Sequence, residues 1–291
     1  MNALPAPSAS LRGALWMLFS AVCYVASATL ARHLGDGYSV FEITFIRAVI
    51  AVALIAPILV RSGNRKFHTS HIGLHVVGGL FAYLAVLFWF YAATRMPVAE
   101  FFALQFATPL FTLALALLVL RERVGGANWI ATLVGFAGVL VILRPGAIEV
   151  SLGALAALAS TVGYASVNTV IKVLSRTESS VVIVFYVNLL MVPLSLPMAV
   201  VEWRMPGLSD AVLIGGMAVF STVAFLAVAR AISVADARVV QPINFLRMPI
   251  AALFGLVFFG EFPDLWTWVG AFIIFAGAYY VVTRERRTPA G

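Results

Sequence analysis

The chain has 291 residues, of which 63% are hydrophobic and 11% charged, where a soluble domain carries about 25% charged residues. At a mean hydropathy of +1.03 it has too little polar surface to cover a water-facing globule, which leaves a polytopic membrane protein. The lone cysteine, Cys23 in an apolar run, excludes a disulfide framework or a multi-cysteine metal centre, and the net charge of +7 sits mostly in short loops rather than on a nucleic-acid-binding face.

A helix crossing about 30 Å of hydrocarbon needs roughly 20 mostly apolar residues. Ten such runs follow in chain order: Gly13–Ala31, Phe41–Val60, Ile72–Thr94, Val98–Leu120, Gly126–Leu143, Leu152–Ile171, Val181–Val201, Ala211–Ala229, Ala237–Phe259 and Leu265–Thr283. They are long and uniformly apolar, unlike the short alternating strands of a membrane barrel. The expected fold is all-α integral membrane with ten transmembrane helices. Met1–Leu11 holds no lysine or arginine and leads straight into a full-length span, so no cleavable signal is expected.

Basic residues set the orientation. Arg12, Arg61, Arg65, Lys66, Arg121, Arg123, Lys172, Arg176, Arg230, Arg284, Arg286 and Arg287 fall on the face holding the N-terminus; Arg32, Arg95, Arg144 and Arg204 fall on the other. Both termini are therefore expected in the cytoplasm.

A shift of 140 lays Gly13-Ala14-Leu15 on Gly153-Ala154-Leu155, and Leu18, Ser20, Val22, Tyr24 and Thr29 on Leu158, Ser160, Val162, Tyr164 and Thr169. Phe45 meets Phe185 and Pro57 meets Pro197. Near the end of each half a shift of 139 pairs Glu122 with Glu261, Trp129 with Trp268 and Phe136-Ala137-Gly138 with Phe275-Ala276-Gly277. The chain thus reads as two five-helix repeats, 1–145 and 151–285. Five is odd, so the second must enter the membrane from the opposite side, and inverted repeats commonly mark carriers with a central site.

The pattern Pro109…Leu120-Arg121-Glu122…Trp129…Phe136-Ala137-Gly138 recurs as Pro249…Gly260-Glu261…Trp268…Phe275-Ala276-Gly277. It resembles the EamA-type branch of the drug/metabolite transporter superfamily and, within it, is most similar to bacterial YddG-type amino-acid exporters. That resemblance implies an inner-membrane exporter of aromatic and other neutral amino acids working by alternating access. Arg121 departs from it by standing where the family usually has glycine.

Polar side chains inside spans are costly in lipid and usually face the bundle interior. Ser20, Tyr24 and Ser27 share a face of the first helix; Thr161, Tyr164 and Asn168 do so on its mate. The fourth helix offers Gln105, Thr108 and Thr112 around Pro109, and the ninth offers Gln241, Asn244 and Arg247 around Pro242 and Pro249. Proline frees a carbonyl and bends a helix, so both are expected to bend near the midplane. With Tyr83 from the third helix, the candidate substrate set is Tyr24, Tyr83, Gln105, Tyr164, Asn168, Gln241, Asn244 and Arg247. Interhelical hydrogen bonding is the alternative for single Ser, Thr, Asn or Gln residues, and the core or interface belt for Phe88, Trp89, Tyr91 and Trp16. Arg47 and Arg247 lie deep in their spans, and one of them could clamp a substrate carboxylate; a structural ion pair is the alternative for Arg247 and the expectation for Arg47, with Glu42 five residues before it.

Glu100 and Asp236 are expected to serve helix N-termini, with proton coupling the alternative. His68, His71 and His75 have zinc-compatible spacing but sit beside Arg65 and Lys66, which oppose a cation, so no metal and no cofactor are expected. Ala131, Gly135, Gly138, Gly270 and Gly277 make small faces for docking the fifth and tenth helices, as support or as a dimer surface. The sequence thus points to a carrier, monomeric or weakly dimeric, exporting neutral or aromatic amino acids or similar metabolites across the bacterial inner membrane. Drugs, purines or sugar phosphates are alternative substrates; a membrane-embedded enzyme or passive channel is the alternative class. Lipid and a small molecule, not nucleic acid, are the expected partners.

Overall fold

The computed structural model describes residues 9–61, 69, 71–118, 126–144, 150–234, 243 and 246–284. The described residues are helical almost throughout: α1 Ala9–Leu34, α2 Val40–Arg61, α3 Ile72–Arg95, α4 Val98–Gln105, α5 Thr108–Leu118, α6 Gly126–Leu143, α7 Leu152–Leu174, α8 Ser180–Val201, α9 Leu208–Val234, α10 Arg247–Phe259 and α11 Leu265–Arg284. Six of these, α1–α3 and α7–α9, are long and apolar enough to cross a membrane alone. Helices α6, α10 and α11 also present apolar outward faces. Leu133, Val257 and Phe272 are each more than 60% exposed, as lipid rather than water requires.

The run expected as one fourth helix is two. α4 stops at Gln105, Phe106 and Ala107 turn, and α5 starts at Thr108. Pro109 explains the place: it lacks the N–H that would bond the carbonyl four residues back, that of Gln105. The Thr108 hydroxyl donates to that carbonyl instead, at 2.7 Å, while Phe106 and Ala107 make tight i→i−3 bonds to Ala103 and Leu104. In the second half, α10 begins at Arg247 with Pro249 in its first turn, where a missing N–H costs little. Pro242 lies outside the described residues.

Contacts between helix ends sort the molecule into two faces. At the distal end, where α1 finishes, Arg32 pairs with Glu261 and Arg144 with Asp264. There too Tyr38 donates to Asp210 at 2.6 Å, Ser39 donates to Glu202, and Arg204 donates to the Gly37 carbonyl at 2.9 Å. At the terminal end, where α1 begins, Glu178 takes His75 Nε2 at 2.7 Å and the Thr69 hydroxyl. Three of the arginines assigned from sequence to the second face therefore lie at one end, held by acceptors of that end.

The halves pack reciprocally. α1 runs along α9 and α3 along α7, while α2 packs on α8 and α6 on α11. Exchanging the halves turns the first contact into the second and each of the others into itself. Two of the expected glycines, Gly138 and Gly270, make the α6–α11 seam: a Cβ at Gly270 would stand 2.6 Å from the Gly138 carbonyl oxygen and 2.4 Å from Ile142 Cγ1, whereas Gly135 packs against Leu110 of α5. Gly260, at φ +67, ends α10 in the left-handed region that favours glycine, and so places Glu261 for Arg32.

Candidate functional site

A cavity lies between the halves, with about 900 Å³ of free space once the part open to solvent is counted. At the shift of 140 its wall contains four repeat-equivalent pairs: Tyr24 with Tyr164, Ser27 with Val167, Arg47 with Val187 and Ala82 with Thr222. Equivalent positions of the two repeats thus share one cavity wall. Toward the terminal end it reaches Ile171 and Ile183, each three residues, or about 4.5 Å of rise, from its helix end. At the distal end the wall stops deeper, at Arg47 and Phe90, and the ties of Arg32, Arg144 and Tyr38 lie beyond it. Trp89 and Met191 complete the apolar surface.

Among the expected residues, the fold brings Tyr24, Tyr164 and Asn168 to the cavity. Arg247 approaches from the start of α10, its guanidinium carbon 4.4 Å from the centre of the Tyr24 ring, a cation–π distance. Gln105 goes elsewhere: its amide donates to Ser160 at 2.6 Å, tying α4 to α7. Tyr83 is buried in the core, and its neighbours Ala82 and Val86, not it, reach the cavity wall. Pro109 and Pro249 sit in the first turns of α5 and α10 as described. Gln241 and Asn244 lie outside the described residues.

One expectation needs correction. The ion pair of Arg47 with Glu42 is absent from the described contacts: Glu42 Oε2 accepts the Arg204 N–H at 3.3 Å, and Arg47 faces the cavity instead. Five residues turn about 140° round a helix, which points the two side chains apart. The histidine set is divided. His75 is fully buried on Glu178, a carboxylate 103 positions away that sequence proximity could not reveal; His71 stands at the N-cap of α3, and His68 lies outside the described residues. No group of three metal-ligating side chains occurs among the described residues. Glu100 lies in the first turn of α4, within electrostatic range of Asp264, Arg144, Glu261 and Arg32; Asp236 lies outside the described residues.

Sequence reasoning also missed Asn188. It is 6% exposed, lines the cavity, and spends its amide on the Val184 carbonyl at 2.9 Å, leaving Oδ1 buried without a partner. Its place in the strongly apolar α8 masked it, although a lone asparagine within a span is itself a signal.

Over 282 residues, and 95% of each chain, the protein is 33% identical to a riboflavin transporter of Vibrio cholerae. It is 28% identical to an S-adenosylmethionine uptake transporter of Rickettsia prowazekii over 278 residues, 96% of this chain and 95% of the relative. A pseudopaline exporter of Pseudomonas aeruginosa shares 27% identity over 80% of this chain and 82% of its own. A solved structure described as "Crystal structure of protein" shares the fold, with a TM-score of 0.66 at 20% identity over 96% of this chain and 99% of that one. The first two relatives carry riboflavin and S-adenosylmethionine in their names rather than the amino acids expected from the YddG-type resemblance. The EamA-like transporter family model matches residues 11–144 and again 151–283, so the chain belongs to that family and is a multi-pass membrane transporter.

Proposed function

We propose that the protein is a secondary transporter moving a small planar metabolite across the bacterial cytoplasmic membrane by alternating access, with riboflavin the first compound to test and S-adenosylmethionine the second. The observation that carries this reading is the cavity lined by repeat-equivalent positions. If α4–α5 form one broken crossing and α10 the end of another, the chain crosses ten times, five per repeat, and the repeats are inverted with both termini cytoplasmic. Exchanging conformations between such halves opens the central cavity first to one side and then to the other. Direction then follows the substrate gradient, in keeping with relatives named for uptake and for export.

Aromatic and neutral amino acids, exported, form the second reading. Tyr24, Tyr164 and Trp89 around one guanidinium favour it, and S-adenosylmethionine itself ends in an α-amino acid. Counterflow into proteoliposomes separates the substrates: vesicles loaded with one unlabelled compound are offered labelled riboflavin, S-adenosylmethionine, tryptophan, a nucleoside and a sugar phosphate. Saturable accumulation of riboflavin or S-adenosylmethionine is expected. Accumulation of tryptophan alone moves the amino-acid reading to first place, and none with any compound, in monodisperse folded protein, overturns both.

A further inference from the structure

We infer that Arg47 and Asn188 form the polar recognition site of the cavity, Arg47 taking acceptor oxygens of the substrate and Asn188 Oδ1 an adjacent N–H. This rests on the carrier reading above and names the substrate edge it requires. Arg47 Nη2 donates to Met191 Sδ at 3.1 Å, a weak acceptor. Its Nε is buried without an acceptor, and none of the ion pairs among the described residues involves it. A guanidinium taken into an apolar wall and left uncompensated is costly, and the space it faces is the cavity itself.

Asn188 supplies the complementary group. It lies three residues before Met191 on α8, on the same helix face, and its unpaired Oδ1 is an acceptor where Arg47 offers donors. A ligand that satisfies both presents an acceptor oxygen beside an N–H. Arg247 Nε is likewise buried without an acceptor, but the Tyr24 ring partners its charge and it is not part of the cavity wall.

The same edge occurs in two kinds of molecule. A heteroaromatic dione, such as the pyrimidine end of a flavin, carries C=O beside N–H, and guanidinium groups read acceptor atoms on ring edges. A zwitterionic amino acid carries a carboxylate beside an ammonium. In either case the flat remainder lies against Tyr24, Tyr164 and Trp89.

The test measures affinity on the purified full chain, with the ligand-free melting temperature recorded for every variant. Wild type is expected to prefer riboflavin over 3-methylriboflavin, whose N–H is blocked, by roughly tenfold, and Asn188→Leu to lose that preference. Arg47→Gln is expected to weaken riboflavin by roughly tenfold to a hundredfold, with Arg47→Lys, which keeps the charge but not the fork, in between. If tryptophan is the ligand, its methyl ester must lose affinity for wild type and not for Arg47→Gln. Coupling between one ligand atom and one residue is something a structural role would not produce, and the ligand comparison on wild type stands even where a variant fails to fold. Wild-type affinity in folded Arg47→Gln, or an unchanged N-methyl preference in Asn188→Leu, overturns the assignment. Absence of counterflow with every compound is instead the failure of the carrier substrates, and this inference falls with it.

Discussion

Of the four repeat-equivalent pairs in the cavity wall, only Tyr24 and Tyr164 carry the same side chain in both halves; Arg47 answers to Val187, Ser27 to Val167 and Ala82 to Thr222. Asn188, likewise, answers to Ala48. Outside the cavity the halves agree better: α1–α9 repeats as α3–α7, and both fourth-position helices carry a proline in a first turn. The difference has a physical reason. The proposed rocking of two halves requires equivalent backbones and equivalent contacts, so a shared scaffold would serve it. A metabolite has no two-fold symmetry, so its recognition must break the symmetry of the scaffold that holds it.

The shared scaffold is broken most directly at the α6–α11 seam. Gly138→Val and Gly270→Val each drive a branched side chain into the backbone of the facing helix, and each is expected to cost about 1–3 kcal/mol, read as a lower melting temperature in detergent. Equal losses from the two sides would fit a single close seam. A neutral result at either position would mean that the helices separate freely there, and the peripheral pair would not be a fixed support.

The tyrosine pair sharpens the comparison at smaller cost. Tyr24 carries the Arg247 guanidinium on its ring, whereas no such contact is described for Tyr164. Tyr24→Leu therefore loses both a ring from the cavity wall and a seat for α10, and the cation–π part is worth about 0.5–2 kcal/mol. Counterflow should show apparent affinity falling several-fold more in Tyr24→Leu than in Tyr164→Leu. Equal losses would mean that Arg247 contributes nothing through Tyr24.

Much of this was legible in the sequence. The runs gave the helices, the register gave the halves, and Pro109 marked a bend that the structure realises as a break three residues upstream, because proline acts on the carbonyl of Gln105. The small faces of Gly138 and Gly270 were legible for the same reason, since only short side chains allow that approach. The site was less so. Gln105 and Asn168 look alike as polar residues within spans, yet Gln105 ends on Ser160 and Asn168 at the cavity; which one faces a neighbour depends on how helices far apart in sequence pack. His75 with Glu178, and Arg47 without Glu42, have the same origin.

Helix starts supply the smallest contrast. Asp264 precedes α11, and its Oδ1 accepts the Thr267 N–H at 2.8 Å and the Thr267 hydroxyl at 2.6 Å, while Oδ2 pairs with Arg144. The equivalent residue before α6 is Gly125, which has no side chain to accept either bond. Burial acts to raise the Asp264 pKa, but the two Thr267 bonds and the Arg144 charge outweigh it and hold the carboxyl below its ordinary value. A group depressed in this way stabilises the fold above its unfolded pKa, about 3.9, and that contribution is lost as pH falls through the lower native value. Asp264→Ala removes the cap and the ion pair together and is expected to cost about 0.5–2 kcal/mol at neutral pH. Asp264→Asn keeps an acceptor for Thr267 and should cost less, while flattening the fall in melting temperature below about pH 4. Arg144 gives that measurement a second edge: it holds a left-handed backbone at φ +44, which a non-glycine residue adopts only when its surroundings over-determine it. If the Asp264 pair is part of what fixes it, Arg144→Gly will restore some of the stability lost in Asp264→Asn; if the strain is held elsewhere, the two changes will simply add.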